Sequence, residues 1–160
     1  MSVLHGLVVC GGQSTRMGMD KSELQYHNVP QREWLYELLQ PLCEDVHISC
    51  NAEQAAAIGD SLPTITDATA YRHIGPMAAL LSAYRLFPDD SFLLLGCDYP
   101  YIKRGDIQKL AREYMGQYSL QWILKQANAQ KIIPEDTSIL QSIDTRMGYM
   151  EALVKLSQRY

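Results

Sequence analysis

Apolar and polar positions fall in blocks along this chain, and the period within the blocks switches between that of a strand and that of a helix. Residues 3–9 form an apolar run rich in β-branched side chains, which predicts a buried strand. Residues 22–26 alternate weakly and predict a short extended segment, with His27-Asn28-Val29-Pro30 as a turn. Residues 31–42 place Trp34, Leu35, Leu38, Leu39 and Leu42 on one helical stripe, with Pro41 as its terminator. A short strand at 46–50 carries His47 as an ordinary side chain. An alanine-rich helix at 52–58 is closed by Gly59, and a third strand covers 63–66. Gly75-Pro76 opens a helix with Met77, Leu80, Leu81 and Tyr84 facing inward. In residues 91–97 the run Phe92-Leu93-Leu94-Leu95 has no polar break, which suits a central strand covered on both faces. Further helices are expected at 106–114, with Ile107 and Leu110 inward, at 119–125, and at 146–156, with Met150, Leu153 and Leu156 inside. A last strand-like piece lies at 131–134.

Strand and helix alternating in this way specify an α/β fold, a mainly parallel sheet with helices on both faces in three layers. The chain of 160 residues suggests one domain spanning 1–160. In such sheets ligands bind beyond the carboxyl ends of the strands. Gly11, Gly12, Asn51, Asp67 and Asp98 each follow the carboxyl end of a separate predicted strand.

Composition narrows the partners. A net charge of −4 with no lysine or arginine cluster argues against nucleic acid. No apolar run reaches the length of a membrane span, and no leader pattern opens the chain, so a cytoplasmic protein without a membrane partner is expected. Cys10, Cys43, Cys50 and Cys97 form no C-x-x-C pair, and they read as small, mostly buried thiols rather than a zinc site.

The loop from Cys10 to Lys21 carries the chemistry. Glycines after a strand let backbone N–H groups approach a ligand, and Arg16 and Lys21 suit negative oxygens. It is neither the P-loop nor the dinucleotide fingerprint. The run G-G-Q-S-T-R-M-G-M-D-K, from Gly11 to Lys21, resembles the nucleotide-binding loop of the molybdenum cofactor guanylyltransferase family. Cys97-Asp98-Tyr99-Pro100-Tyr101-Ile102 resembles the same family's C-D-x-P-[FY]-[LI] motif, and Gly75-Pro76-Met77-Ala78-Ala79 its G-P-L-A-G.

That resemblance implies a nucleotide-diphospho-sugar-transferase-like, Rossmann-like fold and a Mg²⁺-dependent nucleotidyltransferase. The enzyme would move GMP from GTP to a phosphorylated pterin acceptor and release pyrophosphate. It also implies roles: Arg16, Lys21 and Asp98 catalytic, with Asp98 as the Mg²⁺ ligand. Val9, Cys10, Gly11, Gly12, Ser49, Asn51, Asp67 and Gly75 would line the nucleotide beside them. Residue chemistry alone leaves helix capping open for Asp67 and Asp98 and local turn bonding open for Ser49 and Asn51. Beyond Ile107 the likeness thins, and Ser142-Ile143-Asp144-Thr145 stands where the family has N-x-N-T. Asp144 is there either a second carboxylate near the metal or part of a surface turn. A shortened, non-catalytic nucleotide-binding module, or a relative using another base or acceptor, is the alternative function.

Overall fold

The computed structural model describes residues 3–10, 19–71, 74–114 and 136–158. Among the described residues four strands form one parallel sheet: β1 (Leu4–Val9), β2 (Asp45–Cys50), β3 (Thr64–Thr66) and β4 (Ser91–Gly96). Their order is β3-β2-β1-β4. The registers pair Val8 with Ile48 and Leu95, and Ile48 with Thr64. The α-helices among the described residues are α1 (Gln31–Leu39), α2 (Ala52–Ile58), α3 (Met77–Leu86), α4 (Arg104–Tyr114) and α5 (Arg146–Ser157).

Successive side chains on a strand point to opposite faces, so β1 and β4 feed two cores. Val8, Val46, Ile48 and Leu95 pack with Leu35, Leu38 and Leu39 of α1 and Ile107 of α4. Leu7 and Ile65 pack on Ala79 and Ala83 of α3, with Phe92 and Leu94 alongside. These are the three expected layers. At Gly6 a Cβ would stand 3.1 Å from Val46 and 3.2 Å from Leu39, so the glycine lets α1 seat closely on the sheet. A third cluster, Leu24, Tyr26, Tyr101, Ile143, Ala152 and Leu156, docks α5 beside the carboxyl edge of the sheet.

Several expectations are corrected. The segment predicted as extended at 22–26 begins as a 3₁₀ turn, Lys21–Glu23, because the Asp20 carboxylate accepts the Ser22 N–H and caps it. Helix α1 stops at Leu39, one residue before Gln40-Pro41, where proline would remove a ladder donor. Helix α3 turns alanines and Ser82 inward and leaves Met77 exposed. Leu110 and Met150 are likewise exposed, while Ile107, Ala111, Ala152 and Leu156 are buried. Strand β4 is covered on both faces as its composition requires, yet among the described residues it pairs with β1 alone and is the outer strand. The expected pieces at 119–125 and 131–134 lie outside the described residues. No helix among the described residues is long and apolar enough to cross a membrane.

Candidate active site

The carboxyl edge of the sheet stays in register beyond the strands themselves. The Cys10 N–H donates to the Ser49 carbonyl at 2.9 Å, Cys97 N–H to Val9 at 3.2 Å, and Asp67 N–H to Cys50 at 3.0 Å. Four strand tips are thereby aligned, and they carry Cys10, Asn51, Asp67 and Asp98. Gly11, Gly12 and Arg16 lie outside the described residues.

Lys21 is brought to Asp98 through two residues of the segment before α5. Its ammonium pairs with Asp144. The Ser142 hydroxyl lies 2.9 Å from Asp98 Oδ2 and 3.0 Å from Asp144 Oδ2. The Ile143 N–H donates to the Asp98 carbonyl at 2.8 Å, which clamps this segment to the turn after β4. Thr145 then caps α5 through the Gly148 N–H. Asp144 is half exposed, as a surface turn requires, but its charge is engaged by Lys21. Charge from Asp98, followed by burial and charge from Asp144, raises the Tyr99 hydroxyl above its usual range.

Gly96 makes room for this arrangement. A Cβ there would fall 2.5 Å from Asp98 Oδ1, so the carboxylate curls over a position that only glycine leaves empty. The oxygens of Asp98 and Asp144, gathered around one hydroxyl, are the hard donors that Mg²⁺ prefers. Among the described residues no group of three or more His, Cys, Asp or Glu is placed to hold a metal. An ion here would therefore take one or two carboxylates and complete its shell from phosphate and water, the usual habit of Mg²⁺.

On the other side of the tips, Ser49 is buried and its hydroxyl donates to Asp67 Oδ1 at 2.9 Å. Burial raises the Asp67 pKa, and the Ser49 bond offsets part of that rise. The next residue is fixed as well, since the Ala68 N–H donates to Ser82 Oγ at 2.8 Å. Ser49 thus orients Asp67. Asn51 has a structural duty, because its Oδ1 accepts the Gln54 N–H at 2.8 Å while Gln54 Oε1 accepts the Asn51 N–H at 3.0 Å. This reciprocal box starts α2. Gly75 adopts φ +63°, a left-handed conformation that glycine takes without strain.

Gln54 does more than complete this box. Its Nε2 donates to Asp20 Oδ2 at 2.7 Å and to the Cys10 carbonyl at 3.3 Å. One amide joins the start of α2, the tip of β1 and the residue before Lys21. Cys10 and Cys97 bring their sulfurs to 3.3 Å at the tips of neighbouring strands. Both are buried, as is Cys50, whose thiol burial pushes up to about 11. They are inert packing groups, as their sequence surroundings indicate.

Residues 6–135 match the family model described as the MobA-like NTP transferase domain. A molybdenum cofactor biosynthesis bifunctional protein of Synechocystis is 36% identical over 108 residues, covering 67% of this chain and 30% of that protein. A molybdenum cofactor guanylyltransferase of Ectopseudomonas mendocina is 34% identical over 107 residues, covering 65% of this chain and 52% of the relative. The match thus spans about half or less of the length of these relatives. Among solved structures, molybdopterin-guanine dinucleotide biosynthesis protein A of Archaeoglobus fulgidus superposes with a TM-score of 0.65 at 18% identity, covering 96% of this chain and 99% of that one. A nucleotidyl transferase of Methanothermobacter gives a TM-score of 0.72 at 13% identity, with 99% of both chains covered. The fold is therefore that of the nucleotide-diphospho-sugar-transferase group, and the chain belongs to the MobA-like NTP transferase family.

Proposed function

We propose that the strand-tip cleft binds a nucleoside triphosphate, with GTP favoured, and transfers GMP to a phosphorylated pterin acceptor with release of pyrophosphate. The observation that carries this reading is the chain of contacts from Lys21 through Asp144 and Ser142 to Asp98. It sets a cation and a metal-type carboxylate on the same cleft. The names borne by the guanylyltransferase relatives supply the base and the acceptor.

Transfer of this kind needs positioning and charge neutralisation more than covalent help from the protein. Lys21 would balance charge near the transferred phosphoryl group, and Arg16 would do the same for the leaving pyrophosphate. The backbone at Gly11 and Gly12 would cradle phosphates. Asp67, aimed by Ser49, would accept hydrogen bonds from a base edge or ribose hydroxyl. Val9, Cys10 and Gly75 would contribute wall and backbone. A Mg²⁺ ion on Asp98 would neutralise the triphosphate and its leaving group. No protein base is required, because the attacking phosphate monoester is already an anion.

Pyrophosphate release from GTP in the presence of Mg²⁺ and the pterin acceptor tests the reading. Asp98→Asn is expected to cut that release by about a hundredfold or more while the melting temperature stays put. Full release by Asp98→Asn refutes the metal role. A second reading, nucleotide binding without transfer, draws support from Ser142 and Asp144 at the N-x-N-T position. It predicts GTP binding with no pyrophosphate formed under any acceptor condition.

A further inference from the structure

A cavity of about 400 Å³ lies where α1, α5 and the stretch joining β4 to α4 meet. None of the residues proposed for the nucleotide lines it. Its apolar wall comes from Trp34 and Leu38 of α1, from Ile102, and from Leu156 of α5. A concave space of this size with apolar and aromatic walls has the character of a small-molecule pocket. A ring stack stiffens the wall. The His27 and Trp34 centroids are 4.1 Å apart, with the planes 18° from parallel. His27 Nε2 lies 3.0 Å from the Pro100 carbonyl, so that nitrogen carries the proton and donates there. The Trp34 indole N–H is buried and makes no hydrogen bond.

Lys103 and Arg104 line the same cavity, and both are exposed. Neither forms a salt bridge among the described residues. The Asp106 carboxylate accepts the Lys103 backbone N–H at 3.0 Å and ion-pairs with neither side chain. The fold gains nothing from two cations here, because α4 begins at Arg104 and positive charge at a helix N-terminus opposes the dipole. On a chain of net charge −4 the pair is a local reversal of sign. We propose that the cavity binds a small organic anion with a flat apolar body. The body lies against Trp34, Leu38 and Ile102, and the negative oxygens meet Lys103 and Arg104. An aromatic carboxylate meets both requirements. An inorganic anion would leave the apolar wall wet, and an uncharged ring would leave the cations unpaired. The site is separate from the nucleotide reading and does not depend on it.

Naphthoate is the probe, with naphthol as its uncharged counterpart, and NMR of the nitrogen-labelled full chain is the readout. The sequence holds two tryptophans, Trp34 and Trp122, so Trp34→Phe assigns the Trp34 indole signal. Naphthoate should move that signal saturably, and naphthol should bind about fivefold more weakly. In the Lys103→Gln, Arg104→Gln double variant naphthoate affinity should fall about fivefold while naphthol affinity stays put. Both positions are exposed, so the variant should keep the wild-type fold. Equal wild-type affinity for the two compounds overturns the proposal, as does unchanged naphthoate affinity in the double variant. A titration that moves the Gly96 and Asp98 amides and leaves the Trp34 signal still puts the anion in the strand-tip cleft and overturns it too.

Discussion

At Gly96 one absent methyl group decides where Asp98 can sit. The Cβ of an alanine would press on Asp98 Oδ1, the far end of a movable side chain, and not on backbone. Gly96→Ala should therefore fold, with a melting temperature close to wild type, while the carboxylate swings off Ser142. On the proposed metal role of Asp98, the expected outcome is a fall of roughly tenfold or more in Mg²⁺-dependent GTP affinity, the effect of losing a contact that supports a metal ligand. Wild-type affinity in this variant, measured by calorimetry, would show that the carboxylate has another route to the same place. Of the candidate site residues, Asp98 drew notice because a carboxylate ending an apolar strand must find a partner or a ligand. Gly96 was not, since a glycine at a strand end looks the same whether or not a neighbour leans over it.

At the scale of elements, α2 shows how a local pattern can hide a longer reach. Asn51 and Gln54 form a capping box at its start. The sequence gives no sign that the same glutamine also holds Asp20 and the Cys10 carbonyl. Gln54→Ala removes one half of the box and both long-range bonds. The loss of stability should be about 1 kcal/mol, read from urea unfolding, the size of an ordinary cap or hydrogen bond. GTP affinity should fall as well, because Asp20 and Lys21 lose their tie to the tip of β1. Lost stability with unchanged affinity would confine Gln54 to capping. Element boundaries failed where a short-range rule outweighed periodicity. The Asp20 cap made a 3₁₀ turn out of a stretch that alternates like a strand. In α3 the small residues face the sheet, so scoring by bulk turned Met77 the wrong way.

For the whole molecule, the alternation of strand and helix was enough to give a parallel sheet with helices on both faces, since few topologies satisfy that pattern. The order of strands and the docking of α5 were not readable, because both depend on contacts distant in sequence. Protonation also acts on the molecule as a whole. Burial lowers the pKa of His27, with the bond to the Pro100 carbonyl resisting. Burial and the nearby His5 lower that of His47, with Asp45 resisting. A base whose pKa is depressed on folding stabilises the fold above its unfolded value of about 6.5, and that contribution drains away as pH drops through the folded value. Asp67 acts in the opposite sense, since its raised pKa gives stability that is lost as pH rises through it. Melting temperature should therefore decline as pH is lowered from about 7.5 toward 5.5, a range that spans the ordinary histidine pKa. The His27→Gln, His47→Gln double variant should show a shallower decline. An identical slope in the two proteins would mean that other groups govern acid sensitivity.

The clamp between Ile143 and the Asp98 carbonyl joins two stretches far apart in the chain. Residues 6–135 carry the family match, whereas Ser142, Ile143 and Asp144 fall beyond it. The segment fastened to the turn after β4 is thus drawn from outside the matched span. A substitution there reaches Asp98 through its contacts and leaves the glycine loop's own sequence untouched.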